Sequence, residues 1–521
     1  METIITNVTL LGGDAASMRK VSLRIDGTRI GAIGDQLLSV EPGATVIDGG
    51  GKLALPGLVN AHTHLPMALF RGLGDDLPLR EWLEEAIWPR ESRLTSQDAY
   101  WGSLLGLAAM VRSGTTALAD MYFHVDAIGK AVEEAGMRAV LSYGIIAQDL
   151  DARGREELAR AETVVERWEG RNGGRIRAAI SPHAPHTVGE RVWREAIGLA
   201  RHHGVLLHTH LAETREEVRA WRSRTGESPV VSLDRMGAFG GPTLAAHCVH
   251  VDADDIALLA ERGVCVAHCP KSNAKLGSGV APVRALRAAG VRVALGTDGA
   301  AANDGLDLIE EMRFAALLQK ATTEDPAALS AGDVLEMATS AGSAALGLNA
   351  GELAVGHEAD LVLVDLDRVE TLPHPSGAVS LVYAAGGASV RDVIVAGEVL
   401  LRDGELVTID EERVKEEVKR LAGRYRNESR PSLGERESPS LGVRTEGEDD
   451  GSTPGEEAGD RQDVRQPRHG HRLSEGADRP SERADRPADG APERAQEGFQ
   501  LPARPETARW PATPTAEVPA R

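Results

Sequence analysis

Residues 53–64 read LALPGLVNAHTH, an apolar run that ends in two histidines two positions apart. A continuous apolar run is typical of a strand buried on both faces, as in a parallel sheet covered by helices. Seven further runs follow along the chain, separated by amphipathic helical stretches: TTALADM, RAVLSYGI, IRAAISPHAP, GVLLHTHLAE, TLAAHCVH, GVCVAHCP and RVALGTDG. Eight such strands alternating with helices predict an α/β fold, a (β/α)8 TIM-type barrel.

Polar residues gather at the C-terminal ends of these runs. They are His62, His64, Asp120, His183, His208, His210, His247, His268 and Asp298. Barrels of this kind carry their catalytic groups at that end of the strands. The sequence therefore predicts a functional site at one mouth of the barrel.

The barrel is predicted over residues 56–348 of the 521-residue chain. Residues 1–55 and 349–426 hold short alternating strands between Gly-rich turns, and the second segment ends in a helix. Neither segment has enough strands for its own core, so we expect the two to form one small discontinuous β-sandwich domain. Residues 427–521 contain hardly any aliphatic residue, which predicts a disordered acidic tail.

Composition narrows the classes of partner. With 58 Lys+Arg against 79 Asp+Glu, the net charge of −21 disfavours nucleic acid and anionic membrane surfaces. No apolar run is long enough to cross a bilayer. Three cysteines without CxxC spacing and an N-terminus without a leader pattern predict a location in the reducing cytoplasm. We therefore expect a small-molecule partner.

The residue types at the barrel mouth suit a divalent metal ion. His62 and His64 project to the same face of their strand, and His210 and Asp298 end two other runs. Three neutral imidazoles and one carboxylate favour zinc first, with iron or another transition metal as alternatives. Taken alone, the His-x-His pair fits two structural polar histidines equally well. Such an ion lowers the pKa of a bound water toward neutrality.

Two further residues are candidates for moving protons near that water. Glu213 lies three residues after His210 and can carry a proton between water and substrate. It fits a solvated acid in the first turn of a helix equally well. His247 can orient the nucleophile or stabilise developing charge, although a lone histidine is more often a buried structural residue. His208 is interpreted as a packing or supporting residue.

Long, ordered motifs make the chain resemble a known superfamily. They are PGLVNAHTHLPMALFRGLGDDLPLREWLEEAIWPRE, SPHAPHT, HTHLAET, AAHCVH, HCPKSNAKLGSGVAPV and GTDGAAANDGLDL. Over about residues 1–425 the chain resembles the amidohydrolases, and within them the 5-methylthioadenosine/S-adenosylhomocysteine deaminases. The resemblance implies one metal ion, held by His62, His64, His210 and Asp298. It implies Glu213 as the proton shuttle and His247 as the hydroxide-orienting residue.

The resemblance also implies substrate contacts. Glu91 matches the glutamate that binds the ribose hydroxyls, Trp82 the aromatic wall and His183 a purine or ribose contact. Glu91 on its own fits a surface helix residue better. Ala302 departs from the usual serine, and the arginines that would bind a homocysteine tail are not fixed, with Arg153 and Arg155 as candidates.

These expectations define a hydrolytic deaminase of 5'-methylthioadenosine, S-adenosylhomocysteine or both, acting as a homo-oligomer on a purine nucleoside. Two alternatives stay open. One is an aminohydrolase or chlorohydrolase of a free heterocycle such as guanine or a triazine, for which Glu91 has no ribose to bind. The other is a catalytically inactive barrel that serves as a binding protein, which the complete ligand set argues against.

Overall fold

The computed structural model describes residues 2–11, 18–34, 42–373 and 376–426, so the tail predicted over residues 427–521 lies outside the described residues. Five short strands precede the barrel: β1 (Glu2–Leu11), β2 (Met18–Asp26), β3 (Arg29–Gly34), β4 (Thr45–Asp48) and β5 (Lys52–Pro56). Buried aliphatic side chains such as Ile5, Val8 and Leu23 form the core of this segment.

Eight parallel strands follow, each hydrogen-bonded to its neighbours in chain order. They are β6 (Leu58–Thr63), β7 (Thr115–Tyr122), β8 (Arg138–Ile145), β9 (Ile176–Pro182), β10 (Leu206–Leu211), β11 (Thr243–His247), β12 (Cys265–His268) and β13 (Arg292–Leu295). The first and last strands meet where the Asp298 N–H donates to the His62 carbonyl at 2.9 Å. The Asn60 side chain also bridges to Thr297, donating to Oγ1 at 2.7 Å and accepting from its N–H at 3.0 Å. The predicted parallel barrel is confirmed.

Small side chains fill the interior of the barrel. One apolar cluster joins residues from seven of the eight strands: Val59, Ala61, Ala117, Ala119, Val140, Ala179, Leu244, Ala246, Cys265, Ala267 and Ala294. Strands on opposite sides of a barrel can share one cluster only through its interior. β10 adds only the partly buried Leu206 to this cluster and carries His208 and His210 farther along the same face. Polar groups therefore replace apolar ones toward the C-terminal end of this strand.

Helices cover the outside of the barrel and pack on larger apolar residues. In chain order they are α1 (Leu79–Glu81), α2 (Trp88–Glu91), α3 (Ser96–Arg112), α4 (Val125–Ala135), α5 (Ala152–Trp168), α6 (Glu190–His203), α7 (Arg215–Thr225), α8 (Pro229–Met236), α9 (Ala253–Glu261), α10 (Pro270–Lys275), α11 (Val283–Ala288), α12 (Ala300–Asn303), α13 (Leu308–Thr323), α14 (Ala331–Ala338) and α15 (Ser340–Ala345). A π-helical turn, Trp82–Ile87, joins α1 to α2. Capping boxes at Thr95, Asp252 and Ser330 explain where three of the helices begin.

The chain then returns to the sheet formed at its start. The remaining elements are β14 (Leu361–Asp365), α16 (Gly377–Tyr383), β15 (Val390–Val395), β16 (Glu398–Arg402), β17 (Glu405–Leu406) and α17 (Glu411–Arg426). Antiparallel pairing of β14 with β5 places strands from both ends of the barrel in one nine-stranded sheet. The domain boundaries at residues 55, 348 and 426 stay a prediction.

A buried ion pair connects this sheet to the barrel. Arg138 at the start of β8 donates from Nε to Asp360 Oδ2 at 2.6 Å and from Nη2 to Glu358 Oε2 at 2.7 Å. Both Arg138 and Asp360 are buried. Among the described residues, no helix is both long and apolar enough to span a membrane.

Candidate active site

Strand ends at the barrel mouth bring three imidazoles together. His62 lies in β6, His64 directly after it, and His210 in β10. One ring nitrogen from each of the three lies within 4.8 Å of the other two. Nε2 of His210 and Nε2 of His64 are 3.4 Å apart. The sequence-predicted histidines therefore converge on one point.

The Nδ1 atom of each of these rings is already engaged. His64 Nδ1 lies 2.5 Å from the Met121 carbonyl, and His210 Nδ1 lies 2.8 Å from the His183 carbonyl. His62 Nδ1 lies 2.9 Å from Nε2 of His208. A ring that donates from Nδ1 keeps its lone pair on Nε2. Carbonyl oxygens only accept, so His64 and His210 donate from Nδ1 and their Nε2 lone pairs face the shared point.

Asp298 supplies a carboxylate at the same point. Its Oδ1 lies 3.2 Å from His64 Nε2 and 3.7 Å from His62 Nε2. The Gly299 N–H donates to Oδ1 at 2.7 Å, and the Ser272 hydroxyl donates to Oδ2 at 2.6 Å. Burial alone would raise the pKa of Asp298, but the hydrogen bond and charge of His64 and the Ser272 hydroxyl lower it to about 2. The carboxylate is therefore held ionised.

Left-handed backbone geometry orients two of the residues in this site. Asp298 has a φ of 61° and His247 a φ of 74°, both in the left-handed region that non-glycine residues rarely adopt. Each follows or ends a barrel strand, where the chain turns away from the barrel. Such outliers tend to occur at functional sites, where the surrounding structure offsets their cost of about 1–3 kcal/mol.

This set of donors fits a divalent cation. His62 Nε2 is buried and has no hydrogen-bond partner among the described residues, so a lone pair there lacks any other use. Burial would lower the pKa of His64, yet the hydrogen bond and charge of Asp298 raise it to about 9, so positive charge is favoured at this point. Three imidazoles and one carboxylate are a donor set typical of zinc and related ions.

Glu213 and His247 lie beside this group. Glu213 precedes Thr214, the N-cap of α7, and is buried, so it is not a solvated residue of the first helical turn. Its Oε2 lies 3.6 Å from Nε2 of His247, and its Oε1 accepts from the Ser278 hydroxyl at 3.3 Å. Burial raises the pKa of Glu213 to about 8. A carboxyl group with such a pKa can both hold and release a proton near neutral pH.

Neighbouring residues that the sequence did not single out fix these groups. The Asn273 amide lies 2.9 Å from Nδ1 of His247 and orients the ring so that Nε2 faces Glu213. Ser272, Asn273 and Ser278 all come from the segment KSNAKLGSG that follows β12. Small polar residues of this kind are common in turns, so their type alone does not indicate a role in the site. Only their occurrence together in one motif could have pointed to them.

A cavity beside the three histidines and Asp298 contains the three predicted substrate residues. Trp82, Glu91 and His183 line it together with His64, His210, Glu213, His247 and Asp298. The Trp82 Nε1–H donates to the Leu73 carbonyl at 3.1 Å, which fixes the indole. Burial raises the pKa of Glu91, and the Tyr122 hydroxyl beside it opposes the rise.

The two arginine candidates lie elsewhere. Arg153 and Arg155 are exposed on α5, and neither lines this cavity or the wider cleft outside it. Arg155 instead donates from Nη1 to the Leu150 carbonyl at 3.0 Å. Ala302 is buried in α12, in the segment that follows Asp298.

The fold and the site together are those of a barrel hydrolase with a candidate metal centre, and comparison with known proteins identifies its family. Residues 53–400 match the amidohydrolase family. The 5-methylthioadenosine/S-adenosylhomocysteine deaminase of Moorella thermoacetica is 50% identical over 380 residues, 72% of this chain and 87% of that protein. The 5'-deoxyadenosine deaminase of Methanothermobacter thermautotrophicus is 46% identical over 413 residues, 79% of this chain and 96% of that protein.

Solved structures agree. An adenosine deaminase from Xanthomonas campestris with bound zinc has a TM-score of 0.77 at 35% identity, covering 81% of this chain and 98% of its own. An atrazine chlorohydrolase from Arthrobacter aurescens complexed with zinc has a TM-score of 0.75 at 26% identity, covering 81% and 100%. The chain belongs to the amidohydrolase family, and within it to the 5-methylthioadenosine/S-adenosylhomocysteine deaminases. It is a hydrolase that acts on carbon–nitrogen bonds, and its histidine group suggests a divalent metal.

Proposed function

We propose that this protein hydrolytically deaminates the adenine ring of 5'-substituted adenosines, with 5'-methylthioadenosine and S-adenosylhomocysteine as substrates. The observation that carries the proposal is one cavity in which Glu213 lies beside the histidine group while Glu91 lines the same space. The relatives named above support the choice of nucleoside. The atrazine chlorohydrolase is only 26% identical to this chain, compared with 50% for the Moorella deaminase, so the comparisons do not favour the free-heterocycle alternative.

One divalent ion per chain, zinc first and iron or another transition metal otherwise, is proposed to be held by His62, His64, His210 and Asp298. When bound, it supplies a water activated for attack at neutral pH. The residues of the chain provide the rest of the chemistry. Glu213 takes a proton from the attacking water and delivers it to the ring nitrogen next to C6, which makes C6 more electrophilic.

Water adds to C6 of the purine to give a tetrahedral centre. His247, held by Asn273, orients the attacking oxygen and stabilises charge at that centre. Glu213 then takes the remaining proton of the added hydroxyl, which becomes the 6-oxo group, and passes it to the exocyclic amine. The C6–N bond breaks, ammonia leaves, and the inosine-type nucleoside is released.

Glu91, His183 and Trp82 are proposed to hold the nucleoside. A carboxylate can accept hydrogen bonds from both ribose hydroxyls at once, and a fixed indole provides an apolar wall for the purine. An outer cleft shares Trp88, Glu91, Phe123 and Ile146 with the cavity, so a substituent on the 5' carbon has room beyond the ribose.

The test is an assay for ammonia with mass analysis of the nucleoside product. The proposal predicts that 5'-methylthioadenosine or S-adenosylhomocysteine yields ammonia and the 6-oxo product in equal amounts. Turnover of guanine or a triazine in preference to both nucleosides would refute it. We further propose a homo-oligomer acting in the cytoplasm, which gel filtration and cell fractionation test.

A further inference from the structure

His208 lies directly behind one of the proposed metal ligands. It is two residues before His210 in β10, so its side chain lies on the same face of the strand. It is fully buried, and its Nε2 lies 2.9 Å from Nδ1 of His62. The two rings are nearly perpendicular, at 89° with centroids 5.0 Å apart, so one ring edge meets the other. Two ring nitrogens at hydrogen-bonding distance make a directional contact, which is more specific than general packing.

If Nε2 of His62 binds a metal, this contact determines where the hydrogen of the ring lies. Nε2 of His62 faces Asp298 and has no hydrogen-bond partner among the described residues. A lone pair on Nε2 requires the hydrogen on Nδ1, and that hydrogen points at His208. His208 must then accept through its own Nε2.

His62 differs in this respect from the other two imidazoles. His64 and His210 donate from Nδ1 to backbone carbonyls, of Met121 and His183, which no substitution removes. His62 alone depends on a side chain. The orientation of His62 can therefore be altered by changing His208, with all four proposed ligands left in place.

We propose that His208 is a positioning residue for His62, accepting its Nδ1 hydrogen so that the Nε2 lone pair faces the metal and metal affinity is increased. The inference rests on the proposed function, because it assumes that His62 is a ligand. Supporting partners of metal-binding histidines typically change metal affinity by about 10- to 100-fold.

Three variants of the full chain separate positioning from packing. His208→Leu keeps bulk and removes the acceptor, whereas His208→Gln keeps an acceptor oxygen at a similar distance from the backbone. His268→Leu is the matched control, since His268 is buried at the end of β12 and neither of its ring nitrogens has a hydrogen-bond partner among the described residues.

Zinc affinity is measured by competition with a chromophoric chelator. We expect His208→Leu to bind zinc about 10- to 100-fold more weakly, and His208→Gln and His268→Leu to stay within about 3-fold of the wild type. Equal losses in His208→Leu and His268→Leu, or a Gln variant as weak as the Leu variant, would overturn the positioning role.

Two further measurements keep the outcome interpretable. If His62→Ala retains full zinc affinity, the proposed metal site itself is wrong; if it loses zinc while His208→Leu does not, only this inference fails. Should His208→Leu not fold, ¹⁵N spectra of histidine in the zinc-loaded wild type decide the question. A slowly exchanging hydrogen on His62 Nδ1 is expected, and a hydrogen on Nε2 would contradict the proposal.

Discussion

Glu213→Gln tests the proposed proton carrier. The amide has nearly the same shape as the carboxyl group, and its oxygen can still accept from the Ser278 hydroxyl that lies 3.3 Å from Oε1. It cannot take up or release the proton that the reaction requires. We expect kcat to fall by at least about 10²-fold, which corresponds to about 2.7 kcal/mol, with little change in KM. Ammonia release at saturating nucleoside measures the effect.

The matched control is Glu217→Gln. Glu217 is another acid that is largely shielded from solvent, and its pKa is raised to about 7 by burial and by the charge of Glu213. Its Oε1 accepts from the Glu213 N–H at 3.0 Å, and it does not line the cavity. We expect its rate to stay within about 5-fold of wild type, since a glutamine oxygen preserves this bond. A Glu213→Gln enzyme near wild-type rate, or equal losses in both variants, would refute the assignment.

Three other changes probe the metal site, the sheet–barrel junction and the tail. Asp298→Ala removes one of the four proposed ligands, so we expect it to abolish activity and to reduce the metal content well below one ion per chain. The wild type is predicted to hold one ion per chain. Elemental analysis that gives two ions per active wild-type chain would contradict the single site. Arg138→Ala leaves Asp360 buried without its cation, so the free energy of unfolding in denaturant should fall by about 3–5 kcal/mol. Arg160→Ala, which removes a half-exposed arginine, is the control. A decrease no larger than that of the control would contradict this prediction. Ending the chain after Arg426 should leave turnover unchanged, because the residues removed contain too few aliphatic side chains for a core. A large drop in rate would show that residues 427–521 contribute.

The barrel and its mouth could be predicted because both follow from local pattern. Apolar runs such as residues 53–64 have the composition of buried parallel strands, and the polar residues that end seven of the eight runs lie at one mouth of the barrel by the geometry of the fold. Convergence of His62, His64 and His210 follows from that geometry once the strands are aligned.

Contacts that join distant parts of the chain could not be predicted in this way. The bond between His62 and His208 spans 146 residues, and that between Asn273 and His247 depends on a turn with a positive φ at His247. Sequence spacing does not determine which way a helical arginine points, so it does not reveal that Arg153 and Arg155 lie outside the cavity. The sequence led us to expect one domain from the two end segments, but the particular pairing of β5 with β14 needed the three-dimensional fold.

Comparison of a nucleoside with a free base tests the central claim most directly. We predict that the wild type deaminates 5'-methylthioadenosine far faster than adenine, measured as kcat/KM for ammonia release. Glu91→Ala should lower the nucleoside value by about 10- to 100-fold for each ribose hydrogen bond lost, at about 1.5–3 kcal/mol each, and leave the low adenine value unchanged. A wild type that prefers adenine, guanine or a triazine, with no effect of Glu91→Ala, would contradict the account.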